Sequence, residues 1–139
     1  MDDKLATVHR NLGWAYARTR DDIPGAIDSY EKAIELRPDL AKSANNLAWL
    51  LATLEDDSLR NGQRALQLAQ RIASVRQEDP SSLDTLAAAY AETGDFSKAV
   101  DVASRAMALS KQLGNEKLAA KIQSRIEKYR EKQPHRASL

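Results

Sequence analysis

Cysteine is absent from the 139 residues, which removes disulfides, thiol nucleophiles and thiolate zinc ligands from consideration. Histidine is scarce: His9 and His135 are the only two, little material for acid–base chemistry, and neither has metal ligands spaced to help it. His9 reads as a packing or partly exposed residue and His135 as an inert member of the tail. Neither sign of charge dominates, with 21 Lys and Arg against 20 Asp and Glu, so no strong field would recruit nucleic acid or an anionic membrane. No apolar run approaches the roughly 18 residues of a membrane span, and the N-terminus MDDKLATVHR is charged and lacks the apolar stretch of a signal peptide. A cytoplasmic setting is the expectation, though a longer parent chain could carry either element. Dinucleotide, phosphate-loop, HExxH and GxSxG motifs are missing as well. The chain is expected to be no enzyme and to hold no cofactor or metal. The acidic pairs Asp2 with Asp3, Asp21 with Asp22 and Asp56 with Asp57 fall at helix ends or loops, where carboxylates cap amides, and no EF-hand loop surrounds them.

What is present is an ordinary balance for one globular unit, 42% hydrophobic and 29% charged, and a segment written three times. RNLGWAYART at 10–19 returns as NNLAWLLATL at 45–54 and as DTLAAAYAET at 84–93. Aligned, the copies put Leu12, Leu47 and Leu86 in one column and the small residues Gly13, Ala48 and Ala87 in the next. Tyr16, Leu51 and Tyr90 follow four positions after the Leu column. Large, small, then large at these offsets is one helix stripe with a notch, where a second helix approaches closely. Downstream, Ala26, Tyr30 and Ala33 are echoed by Ala65, Ala69 and Ile72 and by Ala99, Ala103 and Ala106, offsets of four and seven that mark a narrow second face.

These columns resemble the tetratricopeptide repeat, a helix-turn-helix unit of about 34 residues. The small columns recur after 35 and then 39 residues, from Gly13 to Ala48 to Ala87. The extra residues fall between the two helices of a unit, near Asp21 and Asp22 in the first and within EDDSLRNG at 55–62 in the second. A solenoid tolerates insertions there because its helix lengths set the stacking. Asp22, Asp79, Asp95 and Asn115 read as N-caps, and Gly94 and Gly114 as left-handed C-caps. Helices are predicted over 4–19, 23–36, 39–54, 62–76, 80–93, 96–112 and 115–131. The resemblance implies an all-α fold, a right-handed α-α superhelix of three units at 6–40, 41–79 and 80–113 plus a capping helix at 115–131, together a single domain over 1–131. In that last helix Leu118, Ile122, Ile126 and Tyr129 form the stripe that covers the third unit, while Arg125 and the other charged residues meet water. Residues 132–139 are expected to form a flexible tail.

In such a superhelix the first helix of each unit lines a concave groove where partners bind. The family's groove columns carry Thr7, Arg10, Asn11, Trp14, Ala17 and Arg18 in the first unit, Lys42, Asn45, Asn46, Trp49, Ala52 and Thr53 in the second, and Ser81, Asp84, Thr85, Ala88, Ala91 and Glu92 in the third. Trp14 and Trp49 share a column 35 residues apart. Each either anchors an apolar side chain of a peptide or fills the gap between neighbouring helices. One subfamily clamps a C-terminal carboxylate with Lys and Asn; Arg10 and Asn46 match two of its columns, but Trp14, Ser81 and Thr85 depart from it. Asp84 and Glu92 favour instead a mixed ligand, apolar near the tryptophans and basic toward the third unit. The whole also looks like a bacterial style of repeat chain, or a C-terminal fragment of one. The expected function is a scaffold that binds a peptide or helix of a partner protein. The alternative is self-association into dimers or stacks through the solenoid ends or the alanine-rich back.

Overall fold

The computed structural model describes residues 9–11, 22–37, 41–76 and 78–136. Residues 9–11 are helical, and the rest of the helix predicted over 4–19 lies outside the described residues. Six helices follow: α1 Ile23–Leu36, α2 Ala41–Thr53, α3 Gly62–Val75, α4 Pro80–Glu92, α5 Phe96–Gln112 and α6 Glu116–Arg130. Among the described residues there is no strand, and no helix is long and apolar enough to cross a membrane.

The helices begin where side-chain oxygens can satisfy otherwise unpaired amides. Asp22 Oδ1 accepts from the Gly25 amide at 2.8 Å, Asp95 from Lys98 at 3.2 Å and Asn115 from Leu118 at 3.1 Å. Asp79 accepts from the Ser81 amide at 3.1 Å and the Ser82 hydroxyl at 2.7 Å. A fifth cap, Asn61, was not among those predicted; it starts α3 by accepting from the Arg64 amide at 3.1 Å.

Each helix packs on the next from α1 to α6, and α2 also touches α4 across the intervening α3. That contact between alternate helices turns a string of hairpins into a solenoid. The repeated columns supply the joints. Ala26, Tyr30, Ala33, Ala65, Ala69, Ile72, Ala99, Ala103 and Ala106 are all buried, as are Leu47, Ala48, Leu51, Leu86 and Ala87. Alanine at the crossings lets helix axes approach, and the large residues beside it supply the burial term, on the order of 2 kcal/mol for a side chain such as Leu47. The repeated alanines of α5, Ala99, Ala103 and Ala106, are therefore interior. Ile122, Ile126 and Tyr129 of α6 are buried and Leu118 partly so, so the last helix seals the far flank.

Three helix ends reverse the chain by one hydrogen-bond pattern. After α4, Gly94 has φ +92; its amide donates to Ala91 O at 3.1 Å and that of Asp95 to Tyr90 O at 2.9 Å. After α5, Gly114 has φ +76, and the amides of Gly114 and Asn115 bond Lys111 O and Ser110 O at 3.0 and 2.8 Å. After α6 the left-handed position is held by Lys132, φ +60, with the amides of Lys132 and Gln133 on Tyr129 O and Lys128 O at 3.0 and 2.9 Å. All three are Schellman caps, and the third turns the chain back toward α2 and α4.

Candidate functional site

The inner surface is built by α2 and α4, with α6 and residues 134–136 against it. Of the expected groove residues, Thr7, Trp14, Ala17 and Arg18 lie outside the described residues. Arg10 is partly buried and reaches Asn11 Oδ1 at 3.4 Å. On α2, Lys42 is exposed, Asn45, Asn46 and Trp49 are half-buried, and Ala52 and Thr53 are buried. On α4, Ser81 is exposed and Glu92 half-buried, but Asp84, Thr85, Ala88 and Ala91 are buried. The columns thus split: Thr53 and Thr85 are buried and turn their hydroxyls back onto the carbonyls of Trp49 and Ser81, at 2.6 and 3.1 Å. A helical Thr with a carbonyl four residues upstream makes this bond readily.

The Trp49 ring is half-buried on the inner wall. The Arg125 guanidinium lies 4.8 Å from its centroid, within cation–π range, and the His135 ring meets it at 5.4 Å with planes inclined by 47°. Arg125, expected in water, is instead largely covered, and its Nη1 donates to Asp84 Oδ2 in an ion pair. The reason is electrostatic: Asp84 sits inside the groove at 6% exposure, where an unpaired carboxylate is costly, and Arg125 lies within reach on the facing side of α6. Burial pushes the Asp84 carboxyl above the usual carboxylate range even though Arg125 pulls it back. The Tyr129 hydroxyl is likewise raised by burial, and the nearby Asp84 adds to the shift.

Glu92, at the end of α4, is held from two sides. Arg60 Nε donates to its Oε1 at 2.9 Å, and Arg136 Nη1 approaches its Oε2 at 2.7 Å as an ion pair without aligned hydrogen-bond geometry. Arg60 carries no signal in the groove columns because it lies in the inserted loop between α2 and α3. The loop is ordered around Asp56, whose Oδ1 accepts from the Ser58 amide and hydroxyl at 3.0 and 2.7 Å. Arg60 is further fixed by Asp57 and by the carbonyls of Leu54 and Glu55 at 2.6 and 3.1 Å. Gly62 makes room for this arrangement, since a Cβ there would stand 2.9 Å from Glu92 Cγ.

Residues 134–136, expected to belong to a flexible tail, are half-buried against these groups. His135 has an unusually low proton affinity, pushed down to about 4 chiefly by burial and then by Arg125, Lys128 and Arg136. At neutral pH it is an uncharged ring in tilted contact with Trp49. Asn45 Nδ2 bridges α2 to α4 through Ser81 Oγ at 3.4 Å, while Asn45 Oδ1 and Asp84 Oδ1 are buried acceptors with no donor among the described residues. No group of three or more His, Asp or Glu able to hold a metal ion occurs among the described residues. The groove thus brings together an aromatic ring, buried acceptors and two carboxylates.

Residues 82–117 match the tetratricopeptide repeat family model. No curated protein matches in sequence. Among solved structures, MamA AMB-1 in its P212121 form is 19% identical with a TM-score of 0.62, the match covering 91% of this chain and 73% of that one. The C2221 form is 20% identical with a TM-score of 0.63, covering 94% and 81%. The N-terminal domain of stress-induced protein-1 (STI-1) from C. elegans is 22% identical with a TM-score of 0.62, covering 88% and 94%. At these identities the likeness is one of fold.

Proposed function

From a chain that carries a tetratricopeptide repeat on a tetratricopeptide-type solenoid, we propose a protein-binding scaffold that holds a segment of another protein in its concave groove. The observation that carries the reading is Trp49, an amphipathic ring half-buried on the inner wall and flanked along α4 by Asp84 and Glu92. Large rings in partly covered pockets are favoured anchors at interfaces, and the carboxylates of Asp84 and Glu92 favour a ligand with a basic group. Arg10, Lys42, Asn46 and Ser81 border this region as secondary contacts, with Thr7, Trp14 and Arg18 completing the proposed wall on the first unit. Mechanistically the scaffold acts by preorganisation. Asn45, Arg60 and Arg125 already hold the groove's polar groups in place, so a partner bears less of the ordering cost.

Affinity capture from the native source with the chain and its Trp49→Ala variant tests the reading. Partners retained by the former should be lost, or bound about ten-fold more weakly, by the latter, as truncating an interface aromatic predicts. Undiminished capture by Trp49→Ala would remove the groove from the binding function. Self-association is the second reading, and its support is thinner: Val75 and Leu113 are the exposed large apolar side chains among the described residues, and such scattered residues are normal on monomers. A monomer in light scattering over a wide concentration range would reject it.

A further inference from the structure

The C-terminal segment meets the groove at two chemically distinct points. The His135 ring meets the Trp49 ring at 5.4 Å, and the guanidinium of the next residue, Arg136, takes Glu92 at 2.7 Å. The approach is built into the chain. Lys132 adopts the left-handed turn, the Gln133 amide bonds back to Lys128 O at 2.9 Å, and Pro134 narrows the backbone freedom of the stretch that enters the groove. A flat ring followed by a guanidinium is the mixed ligand that an aromatic platform beside a carboxylate should accept.

We infer that Pro134–Arg136 is a built-in occupant of the groove, and that the external partner is a peptide segment of the same chemistry, a flat ring followed directly by arginine, which must displace it. This rests on the groove reading above and sharpens it. Tethering gives the internal segment a high effective concentration, in the millimolar range for a short connection, so a free peptide competes at a disadvantage until the tail is weakened or withdrawn. The occupied groove is then the resting state, and the partner's affinity is lowered by the fraction of molecules whose groove is open.

A nonapeptide corresponding to residues 131–139, EKQPHRASL, is the probe. It is titrated into two full-length proteins, both in a Trp14→Phe background so that emission reports Trp49 alone: one with the natural tail and one with His135→Ala and Arg136→Ala. The tail-disabled protein should show saturable binding at least about ten-fold tighter than the protein with its natural tail, and a peptide with Glu in place of Arg136 should bind neither. Matching thermal unfolding curves establish that both proteins are folded. Equal affinity for the two proteins would overturn the internal competitor while leaving the groove a binding site. Absence of binding to both, or equal binding of the charge-reversed peptide, would overturn the ring-then-arginine ligand. Neither result would touch the groove reading, which stands or falls on the Trp49→Ala capture.

Discussion

Helix α4 has two very different sides. On the back, Ala87 and Ala91 share an apolar cluster with Ala99, Ala103 and Ala106 of α5, each with 2% exposure or less. On the front, the same helix offers Asp84 and Glu92 to Arg125, Arg60 and Arg136. The back is fixed by volume and the front by charge. Close-packed alanine joints have no room to adapt, whereas a covered ion pair can be exchanged for apolar groups provided both partners go together. The stack therefore depends on its back, while its front is free to specialise.

The heaviest blow to this contrast falls on the back. Ala103→Leu adds branched bulk at a position with 0% exposure, and overpacking of this kind costs about 3 kcal/mol, roughly 10 °C in Tm for a chain of this size. Thermal unfolding followed by circular dichroism measures it. A change under about 0.5 kcal/mol would mean that the α4–α5 joint is loose and the contrast false.

The front should respond through pairing. Arg125→Met strands Asp84 in a covered site and should cost about 2 kcal/mol at pH 7, whereas adding Asp84→Leu should recover most of the loss. The Asp84 carboxyl is already raised by burial. A raised folded value means its contribution is complete below the ordinary aspartate range, near about 3.9, and is lost as pH rises through the folded value. Without Arg125 that loss deepens, so the Arg125→Met penalty should shrink between pH 7 and pH 4. A pH-independent penalty, or a double variant no better than the single, would show that Arg125 acts only by packing on Trp49.

The back was readable from residues alone and the front only in part, for a physical reason. Periodicity at offsets of four and seven records helix faces, and every repeated alanine in those columns that the structure describes is buried. Four of the five caps were readable because their chemistry is local; Asn61, inside the inserted loop, was the exception. The groove columns gave positions without partners: Thr53 and Thr85 proved to bond their own helices, and Asp84 proved to be covered. Its partner, Arg125, comes from a helix 41 residues away, and the tail that meets Trp49 and Glu92 enters through a turn at Lys132. The sequence reading found Gly94 and Gly114 because glycine advertises the left-handed region; Lys132 holds the same geometry without that mark. The expectation of a mixed ligand, apolar near the tryptophans and basic toward the third unit, came by contrast from Trp49, Asp84 and Glu92 as residue types in their columns.

A smaller effect separates front from back by pH. His135 is held near 4 against an ordinary value of 6.5; Arg125 and Lys128 from α6 and Arg136 from the tail face it, while Asp84 and Glu92 on α4 are paired to arginines. Depressing a base's proton affinity makes the docked tail fully favourable above the free value and progressively weaker as pH falls toward the docked one. Trp49 emission in Trp14→Phe should therefore change between about pH 6.5 and pH 4, with global unfolding absent, and His135→Ala should abolish the transition. A transition that survives His135→Ala would assign it to another group.

The finest test uses the three chain reversals, which differ in one residue. Gly94, Gly114 and Lys132 all carry positive φ, +92, +76 and +60, with the same pair of amide-to-carbonyl bonds behind each. A side chain in the left-handed region crowds the neighbouring carbonyl and costs about 1 kcal/mol, which glycine escapes while giving back part of the gain as unfolded-state entropy. Lys132→Gly should then stabilise the chain by about 0.5 kcal/mol, and Gly94→Ala should destabilise it by about 1 kcal/mol. Both are measurable by denaturant titration. If Lys132→Gly instead loosened the contact of His135 with Trp49, seen as a shift in Trp49 emission without loss of stability, the stiffness of a non-glycine turn would itself be what aims the tail, and the third reversal would differ from the other two in purpose as well as in residue.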